Sequence, residues 1–576
     1  MKNPFDFVAL RVMIQVFLQN DRSFRAVEEG SSLLALAQSI CPEVKDEKTE
    51  KRHPVLAALV DHKLKELSFN IFYPHEITFI GYNHPDGRRT YIRSLCFVLQ
   101  HAARTLFPDR DLRIEHSLAS GMYCELLDNG SGLPVKPTPE ELHSLRERMR
   151  ELVEADLPFT TEKIRSEEAE VIFAAQRQPH KAALRRSLGH YFCRVYQLAG
   201  QTDTFHGPLV PSTGLLGVFD LFAFHDGFCL QYPSDEDPSK PVRRQRQGKL
   251  AVMLEGYGKW CRTTGIEGIG TLNKTLIDGG AVKLINLCEA RQEREYARIA
   301  DLVYKERNRV KVVFIAGPSS SGKTSSSLRL AQQLRILGMK PKVIELDNYF
   351  VPRERTPLDE DGKYDFEALE AMDLDLLGQH LNTLLDGGRV ELPRYDFKQG
   401  RPFFEGNFMQ MDEGDILIME GIHALDPAMV PDVDPSRIFR VYASALTSLN
   451  VDENNYISTT DNRLLRRLVR DNLYRGLSPE KTILLWPSVR RGENRYIFPF
   501  QEYADAQLNT ALLYELPLLK YYAEPLLRRI HPTSAAYTEA VRLLKFFEYI
   551  VALQPSDIAA IPPTSIMREF IGGQTL

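Results

Sequence analysis

The carboxy-terminal half of the chain alternates short apolar runs with stretches of helical periodicity. Nearly continuous apolar residues occupy positions 312–316, 342–346, 415–419 and 438–442. Runs of this kind are typical of parallel strands that are buried on both faces, because helices must pack on each side to cover them. The pattern therefore predicts a doubly wound α/β domain with a parallel sheet, which we place at residues 310–520.

Helical periodicity continues on both sides of this predicted domain. Residues 282–308 place apolar positions among charges and predict a helix, which forms a helical linker at 281–309. A further helical segment is predicted over about 521–553, within a carboxy-terminal extension of residues 521–576. The α/β domain is therefore expected to carry helical additions at both ends.

The amino-terminal half has shorter elements and a mixed pattern. Residues 12–18 predict a strand and 31–40 a short helix, and the Asp86-Gly87 pair predicts a turn that closes a run of short strands. These elements indicate a small α+β domain at residues 1–82. The chain is therefore expected to be multidomain and to combine α+β with α/β units.

Residues 83–280 are expected to form a second α+β region. Apolar residues at helical spacing over 139–153, with charges between them, predict an amphipathic surface helix. The basic and polar segment 234–248 predicts a surface loop. A solvated loop is the common origin of such a charge run, and contact with RNA is the alternative.

Composition narrows the class of protein. The chain has 576 residues, of which 43% are hydrophobic and 26% charged, as in an ordinary globular protein of several domains. A net charge of -5 argues against a chain that is basic throughout and binds nucleic acid over its whole surface. The seven cysteines are scattered without a Cys-x-x-Cys pair, so neither a disulfide framework nor a thiolate zinc site is indicated.

The cysteine usage and the absence of long apolar stretches also bear on location. Arg11 and Gln15 interrupt the apolar run at 7–18, and no small-residue cleavage site follows it. No other stretch approaches the ~20 apolar residues that a membrane helix needs. We therefore expect a cytoplasmic protein without a membrane partner, and assembly into a homo-oligomer stays open.

The strongest chemical motif is Gly-x-x-x-x-Gly-Lys-Thr at 317–324, between a predicted strand and a predicted helix. Its glycines let backbone N–H groups converge on a phosphate, Lys323 supplies a positive charge, and Thr324 offers a hydroxyl to Mg²⁺. ATP and Mg²⁺ are therefore the expected cofactors. The nucleotide-binding residues predicted from this loop are Gly317, Ser319, Ser320, Ser321, Gly322, Lys323, Thr324 and Ser325.

The loop alone does not distinguish a kinase from a GTPase or a helicase, so the acceptor side must decide. Asp347 follows the second strand at the edge where ligands of open α/β sheets bind, and it could accept a hydroxyl proton. Glu420 ends a hydrophobic strand and could present its carboxylate to the metal. Arg463, Arg467 and Arg470 share one helical face, which suits either a lid that closes on phosphates or a salt-bridged surface helix.

These elements, in this order and spacing, resemble the uridine kinase and phosphoribulokinase group of P-loop kinases over about 311–520. The group's substrate-side segments correspond to 364–366 and 393–397, and its lid to 460–471 followed by Arg475-Gly476. The resemblance implies an ATP-dependent transfer of a phosphoryl group to the 5′-hydroxyl of a nucleoside.

The resemblance also implies a role for each residue that matches the motifs of the group. Asp347 becomes the catalytic base and Asp365 a ligand of the ribose hydroxyls, while Glu420 joins the Mg²⁺ and acceptor site. Tyr395 and Phe397 become walls of the nucleoside pocket. The residues implied to contact the phosphates are Lys323, Arg467, Arg470 and Arg475.

One departure from the group leaves the acceptor open. Pyrimidine-specific members carry a base-reading histidine shortly after the aromatic pair, whereas this chain continues Lys398-Gln-Gly-Arg401. Another nucleoside or a polyol is therefore an alternative acceptor. A sugar phosphate is a further alternative, since Arg394 and Arg401 flank Tyr395 and could bind its phosphate.

The amino-terminal half resembles threonyl-tRNA synthetases, with a TGS module over about 12–82 and an editing-type region to about 276. The clearest stretches are 154–159 and 206–214. The histidine and cysteine positions that form a metal or editing site in that family are Ile92, Cys96, Phe205 and Leu209 here. One soft ligand cannot hold zinc, so the editing chemistry is expected to be lost. What remains is expected to be a scaffold that binds RNA, regulates the kinase or mediates assembly. Besides a nucleoside kinase and a kinase for another acceptor, the third hypothesis for the whole chain is therefore an ATP-switched RNA-binding regulator.

Overall fold

The computed structural model describes residues 12–46, 50–360, 362–447 and 449–576. The helices and strands of the amino-terminal half are, in chain order, β1 (Met13–Leu18), β2 (Ser23–Glu28), α1 (Leu33–Ile40), β3 (Glu43–Lys45), β4 (Arg52–Pro54), β5 (Ala57–Val60), β6 (Lys63–Lys65), β7 (Glu76–Ile80), α2 (Pro85–Leu106), β8 (Arg110–Leu118), β9 (Gly121–Asp128), α3 (Pro139–Glu154), β10 (Thr160–Arg165), α4 (Ser166–Ala175), α5 (Pro179–Leu188), β11 (Phe192–Leu198), β12 (Gln201–Asp203), β13 (Asp220–Phe224), β14 (Gly227–Gln231), α6 (Gly248–Thr264), α7 (Ile269–Ile277) and α8 (Ala281–Lys305).

The helices and strands of the carboxy-terminal half follow α8. They are β15 (Val312–Ala316), α9 (Lys323–Ile336), β16 (Lys340–Glu345), α10 (Leu374–Leu385), β17 (Arg389–Glu391), β18 (Arg394–Asp396), β19 (Arg401–Phe403), β20 (Phe408–Gln410), β21 (Asp415–Glu420), β22 (Ile438–Ser444), α11 (Thr459–Tyr474), α12 (Pro479–Tyr496), β23 (Ala506–Asn509), α13 (Glu515–Leu527), α14 (Tyr537–Phe547), α15 (Pro555–Ala559) and α16 (Arg568–Ile571).

The carboxy-terminal half is built on a five-stranded sheet in the order β16-β21-β15-β22-β23. All of its strand pairs are parallel, and Ile315 in the central strand lies opposite Glu420 on one side and Val441 on the other. Every residue of β15 and β21 is buried. The parallel sheet predicted from the apolar runs is therefore confirmed.

The two faces of this sheet have different coverings. Val313 faces a core that it shares with α8 and α9. Phe314, the next residue, points to the opposite face and packs in a core with α10 and with Leu250 and Leu254 of α6. Because α6 precedes α8 in the chain, part of the sheet is covered by a helix from the amino-terminal half.

The first sheet of the amino-terminal half has the order β2-β1-β7-β5-β6 and shares a core with α1. The strand and the helix predicted at 12–18 and 31–40 are confirmed as β1 and α1. The turn predicted at Asp86-Gly87 is wrong, because both residues lie in the first turn of α2. Pro85 at the first helical position and His84 as the N-cap start a helix at this point, and they outweigh the turn signal of the Asp-Gly pair.

The rest of the amino-terminal half contains a sheet in the order β13-β14-β9-β8, covered by α2 and α3, and a smaller sheet β10-β11-β12. The amphipathic helix predicted at 139–153 is confirmed as α3, which Thr138 and Glu141 begin with a capping box. The segment 234–247 has no helix or strand, as the loop prediction requires. The boundaries between domains that we assigned from the sequence stay predictions.

The helical additions predicted around the α/β unit are present. The linker helix is α8, and the segment predicted at 521–553 is divided into α13 and α14 by an irregular stretch at 528–536. Within the described ranges, no helix has the length and apolar character that crossing a bilayer requires.

Candidate active site

The loop at 317–324 joins β15 to α9 and depends on its two glycines. A Cβ on Gly317 would lie 1.9 Å from the carbonyl oxygen of Ala443, so only glycine fits there. Gly322 has a φ of 81° and caps the N-terminus of α9, and Ser320 also has a positive φ of 58°. Alternating left-handed positions of this kind turn successive backbone N–H groups into one concavity, which is a binding site for anions.

Two buried arginines of α11 hold the loop from behind. Arg463 forms an ion pair with Glu493 and donates a 3.2 Å hydrogen bond to the carbonyl oxygen of Ser319. Arg466 pairs with Glu515 and donates to the carbonyl oxygen of Ser320 at 3.4 Å. Arg463 shares a helical face with Arg467 and Arg470 in the sequence, and its side chain, which is 2% exposed, belongs to this scaffold.

Three further arginines surround one buried carboxylate at the mouth of the loop. Arg467, Arg470 and Arg475 lie 3.2, 3.4 and 3.6 Å from the side chain of Asp471. Arg467 also donates a 2.8 Å hydrogen bond to Ser319 Oγ, which places it directly on the loop. Because one carboxylate serves three guanidiniums, this cluster keeps an excess of positive charge that suits a polyphosphate.

Thr324 and Glu420 form the side of the site that fits a metal ion. Thr324 Oγ1 donates a 2.6 Å hydrogen bond to Glu420 Oε1. Burial raises the pKa of Glu420 to about 7, with Lys323 opposing this rise and Asp347 adding to it. A hydroxyl and a carboxylate are the hard oxygen donors that Mg²⁺ prefers. No group of three His, Cys, Asp or Glu side chains in the described part of the chain could hold a metal ion, so phosphate oxygens would have to complete the coordination.

Asp347 lies in a short 3₁₀ turn, Leu346–Tyr349, at the carboxyl end of β16. Glu345 lies opposite Glu420 in the sheet, and the charge of Asp347 raises the pKa of both carboxyl groups. Asp347 itself is exposed to solvent at this edge of the sheet. The structure therefore brings Lys323, Thr324, Asp347 and Glu420 into one cluster.

Glu367 belongs to the same cluster and was not predicted. Burial raises its pKa to about 7, and Glu493 adds to the rise while Arg467 and Lys323 oppose it. Glu367 Oε2 has no hydrogen-bond partner among the described residues. Its proximity to Asp365 in the segment 364–367 was the only signal in the sequence that could have identified it.

Asp365 is held in place by two neighbours. Its Oδ1 accepts a 3.1 Å hydrogen bond from the backbone N–H of Glu367, and its Oδ2 accepts a 3.4 Å bond from the hydroxyl of Tyr496. The backbone N–H of Tyr395 donates to Asn348 Oδ1 at 3.3 Å. Both substrate-side segments are thereby connected to elements that border the sheet edge.

Tyr395 and Phe397 form an aromatic pair with ring centroids 5.1 Å apart, and Tyr395 also packs against Phe350 at 5.7 Å. Tyr395 is buried, whereas Phe397 is 62% exposed. Arg401 is exposed as well and donates to Gln399 Oε1 at 2.9 Å. The structure thus leaves two of the predicted substrate residues, Phe397 and Arg401, facing solvent.

The carboxy-terminal segment reaches the start of α9, a contact that no pattern in the sequence indicates. Glu569 Oε2 accepts hydrogen bonds from Ser325 Oγ at 2.6 Å and from the backbone N–H of Ser325 at 3.3 Å. Gln574 Nε2 donates to the same hydroxyl at 2.7 Å. A Cβ on Gly322 would lie 2.3 Å from Cδ1 of Ile566. The carboxylate of Glu569 therefore lies against Ser325, which is predicted to bind the nucleotide.

A phosphate-binding loop at the carboxyl edge of a parallel sheet, a hydroxyl and a carboxylate that fit Mg²⁺, and arginines at the mouth of the loop define a P-loop kinase. Residues 312–512 match the Phosphoribulokinase / Uridine kinase family. A uridine kinase from Macrococcus caseolyticus is 31% identical over 196 residues, which are 34% of this chain and 85% of that kinase. The chain belongs to the phosphoribulokinase and uridine kinase family, as the motifs of its carboxy-terminal half predicted.

The amino-terminal and middle region has a second set of relatives. A threonine–tRNA ligase from Coxiella burnetii is 29% identical over 202 residues, which are 35% of this chain. The matched region spans only 29% of the length of that ligase. The resemblance of the amino-terminal half to these ligases is therefore confirmed.

Among solved structures, the phosphoribulokinase from Rhodobacter spheroides covers 34% of this chain, and the alignment includes 70% of that enzyme. The identity is 16% and the TM-score 0.24, so this similarity carries no argument about the substrate.

Proposed function

We propose that this chain transfers the γ-phosphoryl group of ATP to the 5′-hydroxyl of a nucleoside. The observation that carries the proposal is the cluster of Lys323, Thr324, Asp347 and Glu420 at the carboxyl edge of the sheet. A nucleotide-binding switch needs the phosphate cradle alone, whereas a kinase also needs a carboxylate beside it that can receive the proton of an attacking hydroxyl. Asp347 supplies that carboxylate.

In this proposal the protein contributes positioning and charge. The loop and Lys323 hold the β- and γ-phosphates, while Arg467, Arg470 and Arg475 face the charge that develops on the transferred group. Mg²⁺, when bound with ATP beside Thr324, supplies further neutralisation of the phosphate oxygens. Asp347 accepts the proton of the attacking hydroxyl.

The acceptor would lie between Asp365 and the aromatic pair. Asp365 has its carboxylate fixed by Tyr496 and by the backbone of Glu367, which suits a ligand of ribose hydroxyls. Tyr395 and Phe397 offer flat surfaces, and stacking of a base on an aromatic ring is worth about 1–3 kcal/mol for any base. Because the segment 398–401 contains no histidine, we propose a nucleoside kinase without assigning uridine as its substrate.

Asp347→Asn tests the assignment of the base. We expect the variant to bind ATP as the parent does, because the loop is unchanged, and to lose about two to four orders of magnitude in kcat. Asp375→Asn, at the start of α10, is a control for the loss of an acid on the same unit. Product formation would be measured across a panel of nucleosides with ATP and Mg²⁺. Parental turnover by Asp347→Asn, or no phosphorylated product from any nucleoside, would contradict the proposal.

Arg401 supports a second candidate acceptor, a sugar phosphate. Arg394 is paired with Glu405 at 2.9 Å, but Arg401 has no carboxylate within ion-pairing distance among the described residues. A guanidinium that has no carboxylate in ion-pairing distance and lies beside the aromatic pair could bind the phosphate of such an acceptor. Under this alternative, Arg401→Ala raises the KM for a sugar phosphate at least tenfold and leaves phosphorylation of any nucleoside unchanged.

A further inference from the structure

A cavity of about 650 Å³ lies outside the kinase site, where the two halves of the chain meet. Its walls come from β6 and the residues after it, from α2, from the region of β11 and β12, from the segment 451–461, and from α14. Pockets for small organic ligands typically measure about 300–1,000 Å³ and often lie between domains. This cavity therefore has the volume of a metabolite site.

The walls of the cavity carry an excess of positive charge. Seven Lys and Arg side chains line it, against four Asp and Glu side chains. Three of the cations are in ion pairs with lining acids: Arg89 with Asp86, Arg194 with Glu66, and Arg542 with Asp461. The four cations that have no carboxylate within ion-pairing distance among the described residues are Lys65, Arg93, Arg185 and Lys545.

Arg185 is the most informative of these four. Arg185 is only 9% exposed, and its Nε has no hydrogen-bond partner among the described residues. The contacts of its guanidinium are with uncharged groups: Nη1 lies 3.5 Å from the sulfur of Cys193, and the side chain also hydrogen-bonds Tyr549. A buried guanidinium is unfavourable without an anionic partner, so this side chain lacks a ligand.

Arg93 and Lys545 face the same space from two other walls. Arg93 donates to the carbonyl oxygen of Pro208 and to the hydroxyl of Thr90, neither of which carries a charge. Burial lowers the pKa of Arg93 to about 10, and no carboxylate lies within ion-pairing distance of it among the described residues. Lys545 is exposed and adds positive charge to the same cavity. An anion in the cavity would relieve the cost of burying a positive charge at Arg93 and at Arg185.

The cavity also has aromatic walls. The ring of His206 packs edge-on against Tyr549 at 4.9 Å and Phe546 at 5.8 Å between ring centroids. Burial and the surrounding cations lower the pKa of His206 to about 3, so this ring is neutral. Phe192 and Phe205 line other parts of the cavity. A ligand here would thus meet flat apolar surfaces as well as positive charge.

Among the described residues, no cluster of His, Cys, Asp and Glu side chains offers this cavity a metal site. Ile92, Cys96 and Phe205 occupy positions at which threonyl-tRNA synthetases carry metal ligands, and all three line this cavity. Of these three residues, Cys96 alone has a side chain that can ligate a metal, and one soft ligand cannot hold zinc. The cavity therefore offers a ligand positive charge and aromatic surface rather than a metal ion.

The cavity touches the kinase unit at the start of α11. The segment 451–461 lines it and continues directly into the helix that carries Arg463, Arg466 and Arg467. Asp461, in the first turn of α11, accepts two hydrogen bonds from Arg542 of α14, at 2.7 and 2.8 Å. A ligand that engages α14 and the start of α11 would thus act on the helix that positions the phosphate loop.

We infer that this cavity binds a free nucleoside phosphate and that its occupancy changes how the kinase unit handles ATP. The phosphate lies among Arg93, Arg185 and Lys545, and the base lies against the aromatic walls. This site is separate from the loop at 317–324, so it needs no assumption about the acceptor of the kinase.

Calorimetric titration of the full chain with UMP, CMP, AMP, GMP and inorganic phosphate tests the inference. Lys323→Ala disables the phosphate loop and should leave binding at the cavity intact. We expect Arg185→Leu and Lys545→Ala each to weaken the binding of a nucleoside monophosphate at least tenfold in that background. Arg186→Leu is a matched control, because Arg186 is the neighbour of Arg185 on α5 but is exposed and paired with Glu170. Lys545 is on the surface, so its replacement separates loss of binding from loss of folding.

A second measurement addresses the coupling to ATP. The nucleotide that binds should change the KM for ATP at least twofold in the parent and leave it unchanged in Lys545→Ala. Three results would overturn the inference: no binding of any nucleotide at millimolar concentration, equal binding by the cavity variants and the Arg186→Leu control, or binding of an RNA oligonucleotide alone.

Discussion

The carboxylate of Glu569 accepts hydrogen bonds from the hydroxyl and the backbone N–H of Ser325, at 2.6 and 3.3 Å. Ser325 lies in the first turn of α9, directly after the phosphate-binding loop. The N–H groups at this end of a helix are the groups that bind phosphate in P-loop proteins. The chain therefore presents an acid of its own to a position where the nucleotide is expected.

Removing the carboxylate of Glu569 should favour the binding of ATP. Glu569→Ala is expected to lower the KM for ATP roughly threefold to tenfold, because a charge-assisted hydrogen bond worth about 1 kcal/mol or more no longer competes. Steady-state kinetics with varied ATP would measure the change. Glu524→Ala, which removes an acid of α13 that pairs with Arg528, is the control. An unchanged or higher KM in Glu569→Ala would show that the contact does not oppose ATP.

Glu420 should make the stability of the nucleotide-free protein depend on pH. Burial raises its pKa from 4.5 to about 7, so folding favours the protonated acid, and its contribution to stability is lost as the pH rises from about 4.5 through 7. The full cost above pH 7 is roughly 3 kcal/mol. Glu420→Gln keeps an acceptor for Thr324 without the charge, so it should raise the melting temperature at pH 8 and have little effect at pH 5.

Thermal unfolding at both pH values would measure this difference. Glu413→Gln, which lies on the exposed turn before β21, should leave both melting temperatures unchanged. An equal effect of Glu420→Gln at pH 5 and pH 8 would refute the assignment of the raised pKa to this residue.

Arg467 is expected to bind phosphates, whereas Arg463 is expected to stabilise the fold. Arg467→Ala should lower kcat/KM about tenfold to a hundredfold without a large loss of stability, because its guanidinium lies at the mouth of the loop and bonds Ser319 Oγ. Arg467→Lys should recover only a fraction, since an ammonium cannot reproduce a planar fork of donors. Kinetics and thermal unfolding of the same variants would separate the two effects.

For the buried pair of Arg463 and Glu493 we expect the opposite result, a loss of stability. Arg463→Leu leaves Glu493 buried without its main partner and should cost about 3–5 kcal/mol in the free energy of unfolding. The double variant with Glu493→Leu should recover part of that loss. Arg528→Leu breaks a surface pair with Glu524 and should cost less than about 1 kcal/mol. Denaturant unfolding measures all three, and a cost for Arg463→Leu no larger than that for Arg528→Leu would contradict a scaffold role.

The sequence predicted the parts of the site that depend on local spacing. The glycines of the loop, Lys323 and Thr324 lie within eight consecutive residues, and Asp347 and Glu420 each follow an apolar strand, so their convergence at one edge of the sheet could be inferred. The buried partner of Arg463 could not be predicted, because helical spacing does not reveal which of several arginines finds a buried carboxylate. Glu569 could not be predicted, because it lies 244 residues from Ser325 and meets it only through the packing of the carboxy-terminal segment.

The helix α6 decides whether the kinase unit can stand alone. Leu250 and Leu254 fill part of the core beneath Phe314, and Lys249 Nζ donates to the carbonyl oxygens of Glu502 and Ala504 at 2.9 and 2.7 Å. A truncated gene product that began at residue 281 would expose this apolar surface to water and tend to aggregate. Any minimal catalytic fragment should therefore start upstream of residue 248, so the fused halves are expected to be expressed and engineered as one unit.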